Sequence, residues 1–160
     1  MGFLNFLLGI TFVSIFIQDY KNREVYWFLF PFVAFLCGIL FYQNTLSELL
    51  INALVLNNLF VLLLILILWL YSKLKLRTAF FKTIGLGDVL LFFAVSCSFS
   101  TISFIVIFIA ALIFSLGIHL YVTRIAESNT TVPLAGYMSL FFLIVYMFNW
   151  VGMLEVVYKI

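Results

Sequence analysis

Charge is the scarcest ingredient of this chain. Of its 160 residues only 9% are charged, whereas 67% are hydrophobic, and the mean hydropathy is +1.31. A soluble domain of this length leaves too much surface in water to hide so much apolar area, so lipid must be the solvent for most of it. The net charge of +2 is too small to suggest nucleic acid as a partner, and no basic run with interleaved aromatics occurs. Histidine occurs once, at His119. Without a His-Glu-His spacing, no metal or other cofactor is expected. Cysteine occurs twice, as Cys37 and Cys97 in separate apolar stretches. They lack C-x-x-C spacing and read as small buried hydrophobes rather than a disulfide or zinc pair. The strict apolar–polar alternation of a membrane barrel is missing as well. With no internal repeat, low-complexity tract or separate soluble stretch, residues 1–160 read as one membrane domain.

What the chain does have is long apolar runs, near Gly2–Gln18, Val25–Tyr42, Leu49–Tyr71, Val89–Phe99, Ser103–Val122 and Pro133–Met153. A helix needs about 20 largely apolar residues to cross the hydrocarbon core. These runs are apolar on every side, which suits lipid-facing helices. The expected fold class is therefore all-α, a polytopic membrane protein of six transmembrane helices. The first run has no basic residue before it and no small-residue cleavage site after it, so it is expected to be a true span rather than a signal peptide. Only Ser96, Ser98, Ser100, Thr101 and Ser103 separate the fourth run from the fifth, as a tight turn at the interface. Without that turn the count falls to five.

Basic residues set the orientation. Lys21, Arg23, Lys73, Lys75, Arg77, Lys82 and Arg124 follow runs 1, 3 and 5, and the remaining one, Lys159, is near the C-terminus. The segments after runs 2 and 4 have none. By the positive-inside rule the first group is cytoplasmic and both termini lie outside.

The only two aspartates, Asp19 and Asp88, then fall on the same, cytoplasmic, face. A carboxylate at bilayer depth costs on the order of 2.5–3.5 kcal/mol on insertion scales, so it needs a reason to be there. One such residue alone would read as solvated among headgroups, with Asp88 favoured by the positive end of a helix. Two of them, each in a distinctive local sequence, point instead to function. The second reads Gly85-Leu86-Gly87-Asp88-Val89. Its glycines permit backbone angles and close approaches that a Cβ would block, leaving room for a substrate strand against the backbone.

Asp19-Tyr20-Lys21-Asn22-Arg23-Glu24-Val25, then Gly85-Leu86-Gly87-Asp88-Val89-Leu90, then Val132-Pro133-Leu134-Ala135-Gly136 resemble, in that order, the type IV prepilin peptidases. These are membrane aspartyl proteases of the Gly-x-Gly-Asp class. The resemblance covers most of the chain, from Asp19 to about Gly136. It implies Asp19 and Asp88 as the catalytic pair, with Gly85, Gly87, Pro133 and Gly136 shaping the substrate site. It also implies cleavage of the leader from a pilin-like precursor, which carries a short basic leader, a glycine at the cut and an apolar helix. The chain departs from the family pattern twice. Val25-Tyr26-Trp27 stands where the family has Ile-Pro-Asn, and Leu90 stands where a lysine often follows Gly-Asp-Val. Both bear on substrate preference more than on chemistry. The paired-cysteine region of the larger methylating members has no counterpart here, so peptidase activity without methylation is expected.

Two rival readings use the same residues: a small transporter in which the aspartates bind a proton or cation, and an inactive pilus-assembly factor. A transporter more often places its carboxylates at the midplane between broken helices; here they sit at span ends. Among the other polar residues, His119 reads as an interfacial or helix-bonding imidazole, and Asn52, Asn57 and Asn58 as interhelical hydrogen bonders. Asn129-Thr130-Thr131 is a chance match to a glycosylation acceptor, given its cytoplasmic side. Trp27, Trp69, Tyr71 and Trp150 read as an aromatic belt. Lys21, Arg23 and Lys82 are expected to face anionic lipid. Beyond the bilayer and a precursor substrate no partner is implied, and the oligomeric state is left open.

Overall fold

The computed structural model describes residues 2–77, 80–126 and 132–152. Lys159 and the Asn129–Thr131 triplet lie outside them, as does the end of the sixth run. Among these residues seven α-helices follow one another: α1 (Gly2–Asn22), α2 (Leu29–Asn44), α3 (Ser47–Tyr71), α4 (Phe80–Thr83), α5 (Leu86–Val95), α6 (Thr101–Ala126) and α7 (Leu134–Trp150). No strand occurs among the described residues. Among the described residues, three helical stretches are long and apolar enough to cross a membrane: Gly2–Asn22, Ser47–Leu76 and Thr101–Arg124. The other apolar helices, α2, α5 and α7, are shorter.

Helix ends differ from the sequence expectations for identifiable reasons. α1 runs past its apolar stretch to Asn22 and stops where Arg23 takes the left-handed conformation (φ 58°), its N–H donating to the Asp19 carbonyl at 3.2 Å. That is the geometry of a helix C-cap, adopted here without glycine. The Tyr26 N–H then donates to Gln18 Oε1 at 3.1 Å and ties the chain back onto α1. The second run was expected to be helical from Val25, yet α2 begins at Leu29. Pro31 has no N–H to give to the Trp27 carbonyl, so the helix starts within the turn that precedes it. α3 continues into a wide, π-type turn over Ser72–Leu76, closed by Arg77 at φ 53°.

The serine-rich break is present, but it is not an exposed interfacial turn. α5 ends at Val95, and Ser96, Ser98, Phe99 and Ser100 are buried. A ten-residue helix is about 15 Å long, half the hydrocarbon thickness. The chain therefore leaves helical geometry while still inside the protein, where freed carbonyls need donors. Asn57 on α3 supplies them: its Nδ2 donates to the carbonyls of Ser96 and Phe99, both at 2.9 Å. Ser96 Oγ donates to Asn58 Oδ1 at 3.3 Å. Asn57 and Asn58 are thus the interhelical bonders expected, whereas Asn52 is exposed.

α1 and α7 lie antiparallel along their full length, with Gly2 beside Trp150, Gly9 beside Leu143 and Asp19 beside Gly136. Between them and the other helices runs a core rich in phenylalanine. Phe12 stacks on Phe142 (6.2 Å between ring centroids), and Phe92 meets Phe108 edge-on at 5.0 Å. Cys37 is buried in that core and Cys97 half-buried; both are free thiols. Up-and-down connectivity gathers the ends of α1, α3 and α6 with the beginnings of α2, α5 and α7. Seven of the eight basic residues of the sequence, Lys21, Arg23, Lys73, Lys75, Arg77, Lys82 and Arg124, lie on the segments at that end. At the opposite end the charged residue among those described is Glu48.

Candidate active site

α7 begins with a defect. Its first amides have no carbonyl one turn back to bind, as at any helix start. The residue in the capping position, Pro133, is buried and supplies no side-chain acceptor. Two carboxylates from elsewhere fill the gap. The Gly136 N–H donates to Asp19 Oδ2 at 2.6 Å, and the Ala135 N–H donates to Asp88 Oδ1 at 2.8 Å. Asp19 comes from the last turn of α1 and is buried; Asp88 comes from the first turn of α5 and is half-buried. Residues 69 positions apart in the sequence are thereby held by consecutive amides of a third segment. Consecutive amide nitrogens are less than about 4 Å apart, so the bound oxygens of the two side chains lie within roughly 9 Å of each other. That is near enough for the charge of Asp19 to act on Asp88. The positive end of α7 favours negative charge at this point.

Asp88 is fixed from its own side as well. Its Oδ2 accepts the Gly85 N–H at 3.2 Å, while its own N–H donates to the Gly85 carbonyl at 3.1 Å. Both carboxylate oxygens are thus spoken for by backbone. Asp19 Oδ1, in contrast, accepts no hydrogen bond from the described residues, leaving an oxygen for a water or a substrate group.

Gly85 and Gly136 work by size rather than by torsion. Gly85 sits at φ −64°, ψ 145°, ordinary extended backbone, and neither Gly85 nor Gly87 has a positive φ. The unusual angles expected of them are absent. Gly136 is the tightest position: a Cβ there would lie 3.1 Å from Asp19 Oδ2, 3.2 Å from Asp19 Cβ and 3.5 Å from the Phe16 carbonyl. A side chain at Gly85 would come 3.2 Å from Asp88 Oδ2. At Gly87 the nearest atom, Phe30 Cζ, is at an ordinary 3.5 Å.

Asp19 and Asp88 line a cleft of about 860 Å³ at the basic end of the molecule. Arg23, Glu24 and Trp27 line one part of it, and the half-buried Leu112 and exposed Leu116 of α6 give it an apolar side. Gly85 and Gly87 line it; Gly136, which packs on Asp19, and Pro133 are not in the lining. His119 is not part of this lining. Sequence reasoning missed the Ala135 amide and Gln18, which anchors the rim. A backbone amide leaves no mark in residue type; the available signal was the inability of Val132-Pro133 to cap α7. Among the described residues no cluster of three or more His, Cys, Asp or Glu could hold a metal ion. A carboxylate pair beside an accessible cleft can hold a water between a proton donor and a proton acceptor.

Compared with known proteins, the chain matches no family model, no curated protein and no solved structure.

Proposed function

We propose that this protein is a membrane-embedded aspartyl endopeptidase that removes the leader of pilin-like precursors at the cytoplasmic face of the plasma membrane, without methylating the product. The observation that carries the reading is the convergence of the only two aspartates on consecutive amides of α7, at the rim of a cleft. In this reading the six longer helices mark six spans, α5 being completed by the mostly buried segment 96–100, both termini lie outside, and the basic end faces the cytoplasm.

The chemistry follows from proximity. Two carboxylates brought close do not both ionise readily, so one keeps a proton while the other acts as base. The base takes a proton from water as its oxygen bonds to the scissile carbonyl carbon. The protonated partner polarises and then protonates the carbonyl oxygen. Collapse of the tetrahedral species breaks the C–N bond, with a proton delivered to the leaving nitrogen. The pair titrates as a unit, so neither role belongs to one aspartate alone. A cleft lined by Arg23 and Glu24 in one part and by Leu112 and Leu116 in another suits a substrate whose leader is polar and whose mature start is apolar.

The decisive experiment co-expresses the protein with a precursor carrying a glycine cleavage site and compares wild type with Asp19→Asn and Asp88→Asn. A shortened product that either substitution abolishes supports the reading. Processing that persists in both variants removes it. Wild type that cuts nothing but moves protons across liposomes would establish the transporter instead.

A further inference from the structure

The end of α3 carries a group of cations that the proposed chemistry does not use. Lys73, Lys75 and Arg77 follow one another at every second residue along the wide Ser72–Leu76 turn and its left-handed terminus, all exposed. The two lysines bend back toward aromatic rings, Lys73 Nζ 4.9 Å from the centre of Trp69 and Lys75 Nζ 5.3 Å from that of Tyr71. Trp69 and Tyr71 are themselves exposed, as are Leu74 (73% accessible) and Leu76. Aromatic residues of this kind settle at headgroup depth. Cations pinned to them are held at the same depth, with Leu74 and Leu76 exposed between them. Trp69 and Tyr71 lie two residues apart on α3 and so face nearly opposite sides of it, which places the cations they hold around the helix end rather than on one face. The other described acidic residues at this end are Asp19 and Asp88, bound by backbone amides, and Glu24 on the cleft rim.

We infer that Lys73, Lys75 and Arg77, with Trp69 and Tyr71, form a binding site for anionic phospholipid headgroups in the leaflet on the aspartate side. The charge is complementary, the depth is set by the aromatic pair, and the apolar residues between the cations match a lipid better than a soluble anion. The site adjoins the cleft. α4 packs against the Ser72–Leu76 turn, and Phe81 of α4 and Ile84 after it line the cleft. A lipid held by the turn therefore braces one cleft wall. This inference does not rest on the peptidase reading.

Purified full-length protein in neutral detergent, titrated with phosphatidylglycerol or phosphatidylcholine and followed by native mass spectrometry, tests it. Wild type is expected to retain phosphatidylglycerol preferentially. Each neutralised cation near an anionic headgroup weakens binding roughly fivefold, so the triple variant K73Q/K75Q/R77Q should lose roughly 100-fold. K73Q and K75Q alone should each lose about fivefold, which keeps the test informative if the triple variant misfolds. R124Q, which removes a charge from α6 at the same end, should lose less than either single variant, and D19N should bind as wild type does even if it cuts nothing. Equal retention by wild type and the lysine variants overturns the inference. So does a loss in R124Q as large as in the triple variant, or displacement of the lipid by an equal concentration of inorganic phosphate.

Discussion

Gly136→Ala puts the proposed site under the sharpest available stress. The added methyl would stand 3.1 Å from Asp19 Oδ2 and 3.2 Å from Asp19 Cβ, closer than carbon normally approaches either. The contact cannot be relieved by one flexible end moving away, because Asp19 Cβ is fixed to the backbone of α1 and the Phe16 carbonyl lies 3.5 Å off on the same helix. Either α1 and α7 separate by a few tenths of an ångström, or Asp19 turns away and loses its 2.6 Å bond from the Gly136 amide. Overpacking of this kind costs about 1–3 kcal/mol, and losing a hydrogen bond to a charged acceptor costs a similar about 1.5–3 kcal/mol. Stability should therefore fall by about 1–3 kcal/mol, whichever route is taken. The effect on cleavage should be larger, because a reacting group misplaced by about 1 Å loses on the order of 100-fold in rate. The built-in comparison is Gly9→Ala on the same helix pair, where the new Cβ would meet Leu143 Cδ1 at an ordinary 3.5 Å. Thermal unfolding in detergent and precursor processing in cells read the two quantities. Processing by Gly136→Ala at the wild-type rate, or equal losses in Gly136→Ala and Gly9→Ala, would refute the claim that this glycine sets the position of Asp19.

Asn57→Ala removes donors to two buried carbonyls and should cost about 1–3 kcal/mol in thermal unfolding, while Asn52→Leu, an exposed change, should be neutral or stabilising; equal behaviour of the two would contradict the bracing role. A pair sharing one proton gives a bell-shaped dependence of cleavage on pH, falling on the acid side when both are protonated and on the basic side when both are ionised. A rate that stays flat to the basic limit would show that no shared proton is needed. Gly85→Ala crowds Asp88 Oδ2 at 3.2 Å, but Ala135 still holds the other oxygen. Its loss of activity should be smaller than that of Gly136→Ala in the same assay, and the reverse order would argue that Gly85 rather than α7 positions Asp88.

What the sequence could carry was composition and period; what it could not carry was backbone geometry. Apolar runs located the six longer helices among the described residues because apolar composition is written in residue type. It located their ends less well: Pro31 delayed α2 by four residues, and Arg23 and Arg77 closed helices in a conformation usually left to glycine. The serine cluster marked the break before α6. That the break is buried and held by Asn57 depends on two carbonyls, which every residue type possesses. The same holds for the site. Asp19, Asp88 and the glycines beside them stood out, but the amides of Ala135 and Gly136 that join the aspartates could be inferred only from a helix start lacking a capping side chain.

That dual use of the aspartates decides how their chemistry can be tested. As acceptors for Ala135 and Gly136 they complete the start of α7; as a pair they are proposed to share a catalytic proton. Asp19→Ala would leave the Gly136 amide buried without an acceptor, at about 1–3 kcal/mol, so an inactive alanine variant could simply be a damaged fold. Asparagine separates the roles. It keeps one oxygen to accept from the amide and nearly the same volume, while removing the ionisable proton. The same substitution at Asp88 is less clean, because both oxygens accept from backbone and one must become an amide nitrogen facing Gly85 or Ala135. Asp19→Asn should therefore unfold close to the wild-type temperature and Asp88→Asn several degrees lower, with cleavage abolished in both. Cleavage that tracked the unfolding temperature, surviving in Asp19→Asn and failing in Asp88→Asn, would identify the aspartates as helix caps and nothing more.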